Sequence, residues 1–154
     1  MAFQDLLIEE CVLTDVVAET KEDVIKAIYE CLCKNDKVQP SFYDALLERE
    51  NTYPTGLSLG KINVAIPHVV PEHVKDSALA IAVLRNPVPF GRMDDPDATV
   101  DVKVVFSIAL AQEGKQLETL QTLMKVLENE ELMKQVINAK GVNEIISIIR
   151  KGTQ

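Results

Sequence analysis

The apolar positions of this chain change their period three times along its length. In "TKEDVIKAIYECLCKN", Val24, Ile25, Ile28, Cys31 and Leu32 recur at helical spacing behind Thr20, with Asp23 three positions on. That pattern predicts a helix capped by Thr20 with one buried face. "PSFYDALLERE" opens on Pro40 and Ser41 and puts Phe42, Ala45 and Leu46 on one face, predicting a second helix that ends near Arg49 or Glu50. Ahead of both, "LLIEECVLTDVVA" at 6–18 carries a β-branched run from Val12 to Val17 and predicts an opening strand. Residues 51–56, "NTYPTG", predict a loop.

In the centre the helical spacing is lost. "LSLGKINVAIPH" gives two short β-like runs around Gly60 and Lys61, and "SALAIAVLRNPVPF" a longer one that ends in prolines. After the polar turn segment "RMDDPDATVD", Val102 to Leu110 is almost continuously apolar, as in a strand inside a sheet covered on both faces. Helical spacing then returns. Leu117, Leu120, Leu123, Met124 and Leu127 form one stripe in "KQLETLQTLMKVLEN", "EELMKQVINAK" predicts a shorter helix, and Gly141 separates it from "VNEIISIIRK". No internal repeat interrupts this order. Helices at both ends of a strand-rich centre predict an α/β fold, a mixed β-sheet sandwiched between layers of α-helices, in a single domain over 1–154.

Composition narrows the class of partner. With 47% hydrophobic and 26% charged residues the chain is ordinary globular material, and a net charge of −8 with a pI near 4.8 argues against binding to nucleic acid or anionic lipid. The start, "MAFQDLLIEECVL", has no basic region before an apolar stretch, so it does not read as a signal peptide, and no apolar run is long enough to span a bilayer. A cytoplasmic protein is expected. The odd number of cysteines, Cys11, Cys31 and Cys33, fits free thiols in a reducing compartment, and Cys31 and Cys33 two apart on a helix point to different faces. They are expected to be packing residues.

Both histidines lie in "NVAIPHVVPEHV" at 63–74. The spacing of five between His68 and His73, broken by Pro71, does not set both rings on one helical face, and no third ligand is evident, so a metal site is not expected. His73 is expected at the surface, at the start of a short helix beginning near Pro71, where it could line the rim of a site at His68. His68 ends an apolar strand, and Pro67 fixes the backbone just before the ring. Such a histidine can be an ordinary hydrogen-bonded core residue. Strand ends in α/β sheets also carry function, and a largely neutral imidazole has one ring nitrogen free to attack while a hydrogen bond holds the other. That suits a group that takes up a phosphoryl group and gives it away again.

Larger motifs support the second option. "ALLEREN" followed by "YPTGLSLGKINVAIPH", with "QLETLQTLMKVL" downstream, resembles the enzyme IIA components of the bacterial phosphoenolpyruvate-dependent sugar phosphotransferase system, in the fructose and mannitol superfamily. The resemblance covers nearly the whole chain. It implies a phosphotransferase component that works through a phosphohistidine at His68, attacking through Nε2. The implied donor is the histidine phosphocarrier protein and the implied acceptor a cysteine of the enzyme IIB component, with no cofactor in this chain. Arg49, in the "RE" motif, is implied to contact the phosphoryl group, for which a planar guanidinium is suited. Gln116 stands where many members carry a second histidine; it can donate a hydrogen bond to the phosphoryl group but cannot carry charge. With "YPTGLSL", Gln116 makes the chain look most like the galactitol-type branch. Val69, Val70 and Pro71 are expected to supply an apolar docking patch. Two further readings remain open: a regulatory phosphohistidine protein of the same fold, and a noncatalytic binding module in which His68 is buried.

Overall fold

In the computed structural model, residues 3–112, 114 and 116–153 are described, the side chain of Gln116 excepted. The elements in order are β1 (Leu7–Val16), α1 (Lys21–Lys34), α2 (Phe42–Thr52), β2 (Gly56–Leu57), β3 (Val64–Ala65), β4 (Ala78–Gly91), β5 (Thr99–Ala109), α3 (Gln116–Leu127), α4 (Glu130–Asn138) and α5 (Val142–Gly152). Short 3-10 turns at Phe3–Leu6 and Pro71–His73 complete the path. The strands form one five-stranded sheet in the order β1-β4-β5-β3-β2. β4 and β5 pair antiparallel over the long register Ala78↔Ala109 to Gly91↔Thr99, with one irregularity between Val83 and Val88. β1 lies parallel to β4 and β3 parallel to β5, so the sheet is mixed, as the sequence predicts.

Side-chain alternation divides the core. Leu79, Ile81 and Val83 of β4, with Val104, Phe106 and Ile108 of β5, pack against Leu123, Leu127, Met133, Ile145 and Ile149 of α3, α4 and α5. The opposite face presents Ala78, Ala80, Ala82 and Leu84, and takes Val24, Ile25, Ile28 and Leu32 of α1 with Phe42 and Leu46 of α2. Three small alanines in a row leave room for bulky helix side chains to fill that layer at ordinary packing density. Pro87 and Pro89 follow Leu84, the last residue that β1 pairs. β4 has a single neighbour there, so two missing N–H donors cost no second ladder.

Local signals explain most element ends. The Thr20 hydroxyl accepts from the Asp23 amide while the Asp23 carboxylate accepts from the Thr20 amide, a closed capping box. Three expectations need correction. α2 continues to Thr52 and Gly56 already belongs to β2, so the loop is shorter than the Pro54 and Gly56 breakers suggest. Leu117 is 69% exposed, and burial on α3 begins only with the partly buried Leu120; helical spacing identifies a stripe but not where along its axis the helix meets the core. His73 sits at the end of the Pro71–His73 turn, not its start, and is partly buried. Among the described residues no helix is long and apolar enough to cross a membrane.

Candidate functional site

His68 is fixed by continuation of the sheet beyond β3. The chain stays beside β5, where His68 bridges Ile108 in parallel. The Pro67 carbonyl accepts from Ser107 Oγ at 3.0 Å and from the Ile108 amide at 3.3 Å. The His68 ring is partly exposed, and its Nδ1 lies 2.7 Å from the Ile66 carbonyl. A carbonyl only accepts, so Nδ1 carries the proton and Nε2 keeps its lone pair. Burial lowers the pKa of His68; the bond to Ile66 opposes the shift, and the nearby positive charge of Arg49 adds to it. The imidazole is therefore held neutral near pH 7, the nucleophilic form.

Arg49 and Glu50 lie in the last turns of α2, one exposed and the other buried. Arg49 is exposed, with its guanidinium carbon 4.4 Å from the centroid of the Tyr53 ring one turn on. Stacking on an aromatic face restrains the side chain and leaves its in-plane N–H groups for an incoming anion. Glu50 is 1% exposed. Its Oε2 accepts from the Thr55 amide at 2.8 Å and its Oε1 from the Thr55 hydroxyl at 2.7 Å. Thr55 Oγ1 in turn accepts from the Ile66 amide at 3.2 Å, which links the end of α2 to the strand that carries His68. Next in the chain, a Cβ on Gly56 would lie 2.5 Å from the Gly91 carbonyl oxygen, so only glycine fits this strap.

Burial raises the Glu50 pKa to about 7, against the opposing effect of the two Thr55 bonds and of Lys21 on α1. A carboxyl whose folded pKa exceeds its unfolded value stabilises the fold fully below the unfolded pKa and loses that contribution as pH rises through the folded one. Wild-type stability relative to Glu50→Gln is therefore expected to fall between pH 4.5 and pH 7, the span of the shift, and to level off above it. Urea unfolding of both proteins across that range measures the difference; a constant difference would contradict it.

The remaining candidates are placed unequally. Gln116 is the first residue of α3, the helix that follows β5; its side chain lies outside the described residues. Val70 is 49% exposed whereas Val69 is buried on the α1 and α2 side, so only part of the expected apolar patch is at the surface. Alternate residues of an extended segment face opposite ways, and Val69 takes the inward position. His73 is engaged elsewhere. Its Nδ1 pairs with Ser41 Oγ at 2.8 Å and its Nε2 approaches Glu72 at 3.3 Å, tying the Pro71–His73 turn to the start of α2. All three cysteines are free thiols, Cys11 buried and Cys31 donating to the Glu10 carbonyl. The hydrogen bond with the Cys31 thiol, and after it burial, push the Cys11 pKa up. Glu50, Thr55 and Ser107 do not stand out in the sequence. Ser107 does carry a usable signal, because a lone hydroxyl inside a buried apolar strand must find a partner.

Comparison with known proteins gives a consistent set. The family model described as "Phosphoenolpyruvate-dependent sugar phosphotransferase system, EIIA 2" matches residues 5–152. A fructose-specific EIIABC component of Bacillus subtilis is 31% identical over 98% of this chain, which spans only 23% of that protein's length. A galactitol-specific EIIA component of Escherichia coli is 29% identical over 76% of this chain and 77% of its own. Among solved structures, the complex of enzyme IIA and phosphorylated enzyme IIB for mannitol from Escherichia coli matches with a TM-score of 0.77 at 23% identity, covering 92% of this chain and 95% of that one.

Proposed function

The chain belongs to the EIIA 2 family of the phosphoenolpyruvate-dependent sugar phosphotransferase system, and from that membership we propose that it is a phosphocarrier domain, over 1–154, whose acceptor is His68. The observation that carries this reading is the bond from His68 Nδ1 to the Ile66 carbonyl at 2.7 Å, which leaves Nε2 as the nucleophile. The Nε2 lone pair attacks the phosphorus of the phosphorylated histidine phosphocarrier protein, forming a P–N bond as the donor's P–N bond breaks. Because Nδ1 keeps its proton, the phosphorylated ring carries positive charge, stabilised by the Ile66 carbonyl and confined by its surroundings. Transfer onward breaks that P–N bond as a thiolate of enzyme IIB forms a P–S bond.

Arg49 serves as the cation of the site. Held against the Tyr53 ring, its fork of donors neutralises the transferring phosphoryl oxygens, the main requirement of catalysis in phosphoryl transfer. Gln116, at the start of α3, donates a hydrogen bond to the same oxygens. Identity does not sort the sugar, since fructose-specific and galactitol-specific relatives match at 31% and 29%. The galactitol-type assignment rests on Gln116 and the "YPTGLSL" loop. A cytoplasmic location follows from the same reading, because both proposed partners are cytoplasmic phosphoproteins or domains.

Intact-protein mass after incubation with phosphoenolpyruvate, enzyme I and the histidine phosphocarrier protein tests the proposal. One acid-labile phosphoryl group is expected, discharged on adding a galactitol-type enzyme IIB and mapped to His68 Nε2 by phosphorus NMR. No gain in mass, with an authentic enzyme IIA charged in parallel, would overturn it.

A further inference from the structure

The hydrogen bonds of Glu50 and Thr55 converge on one carbonyl. The Ile66 carbonyl that takes the His68 proton belongs to the Ile66–Pro67 peptide, and that peptide is anchored at both ends. Downstream, Ser107 Oγ and the Ile108 amide hold the Pro67 carbonyl against β5, in the middle of the sheet. Upstream, the Ile66 amide reaches Thr55 through both its Oγ1, at 3.2 Å, and its carbonyl, at 3.4 Å. Thr55 lies in the connection after α2 and is itself held by Glu50, which accepts from its amide and its hydroxyl together.

The direction of those bonds is decisive. Since the Thr55 hydroxyl donates to Glu50 Oε1, its lone pairs are left to accept the Ile66 amide. Removing the acceptor at Glu50 frees the hydroxyl to rotate and strands the buried Thr55 amide without a partner. The ionised form of Glu50, which prevails above pH 7, accepts from both donors at once, and the test below is made there; a glutamine of the same shape offers one acceptor and turns an NH2 group towards the second donor. We propose that Glu50 is a positioning residue for His68: through Thr55 it fixes the Ile66 backbone, so that the Ile66 carbonyl holds the Nδ1–H tautomer and Nε2 faces outward as the nucleophile. The inference deepens the phosphocarrier reading, on which its kinetic consequence rests. The effect on the tautomer stands independently of that reading.

The test uses the full chain with 15N-labelled histidine. In unphosphorylated wild type, Nδ1 is expected to show the shift of a protonated ring nitrogen and Nε2 that of an unprotonated one. Glu50→Gln and Thr55→Val are each expected to move both shifts towards a tautomer mixture, and to slow phosphoryl uptake from the phosphorylated histidine phosphocarrier protein by about tenfold, the loss of roughly one hydrogen bond of positioning. Thr55→Ser, which keeps the hydroxyl, is expected to restore both readouts. Folded Glu50→Gln or Thr55→Val with wild-type shifts and uptake within about twofold of wild type would overturn the proposal. If Glu50→Gln fails to fold, the Thr55→Val and Thr55→Ser pair decides on the same criteria. Should wild type take up no phosphoryl group while the shifts change as expected, the phosphocarrier reading fails and the positioning role stands.

Discussion

His68→Ala is expected to abolish phosphoryl uptake completely while leaving the fold intact. In the proposed relay the ring supplies the nucleophile, and its neighbours offer no substitute: Val69 is buried and apolar, and His73 is engaged by Ser41 and Glu72. The fold is expected to survive because the ring is partly exposed and, among the described residues, makes one hydrogen bond, to the Ile66 carbonyl. The stability cost is therefore about 1 kcal/mol, that of one ordinary hydrogen bond. Intact mass reads the first effect and urea unfolding the second. A phosphoryl group still acquired by His68→Ala would place the acceptor elsewhere, with His73 the next residue to test.

The second large effect is expected at Arg49. Arg49→Ala removes the cation proposed to meet the transferring oxygens, and the rate of uptake is expected to fall by about 100-fold, the scale seen when one preorganised donor is deleted from a charge-stabilising site. Arg49→Lys should recover part of this, because an ammonium supplies charge without the planar fork. The loss should appear in kcat more than in KM, since the interaction strengthens as charge develops. An independent sign accompanies it. The Arg49 charge lowers the pKa of His68, so its removal must raise that pKa, which an NMR titration of the ring reads directly. Unchanged uptake in Arg49→Ala would return Arg49 to a solvated cation at a helix end, favoured there by the helix dipole.

What could be read from the sequence followed the range over which each signal acts. Thr20 and Asp23 predict the start of α1 because a capping box closes within one turn. Val102 to Leu110 predicts β5 because burial on both faces leaves a continuous apolar run. His68 stands out because Pro67 and the strand end mark it locally. Strand order is not legible: β1 reaches β4 across two helices and two short strands and β3 reaches β5 across β4, and no local pattern encodes either pairing. Glu50 sits inside the "RE" motif without drawing notice, because a glutamate at a helix end reads as solvated polar surface. Only the return of the chain through Thr55 turns it inward. Leu117 fails in the other direction, an apolar residue at core spacing that the fold leaves at the surface.

The place of β5 in the chain bears on how the site comes into being during synthesis. Arg49, Glu50, Thr55 and His68 all precede Thr99, where β5 begins, yet the Pro67 carbonyl is held by Ser107 and Ile108 of β5, and His68 bridges Ile108. A nascent chain that has just passed Asp97 already contains the proposed nucleophile, its cation and its positioning pair. It has no surface to hang them on. The long β4–β5 ladder is local and closes cheaply once β5 emerges, whereas docking β3 onto its far side closes a wider loop. The proposed acceptor and the residues that support it, Gln116 apart, are thus written early in the chain and assembled late, when its last strand arrives.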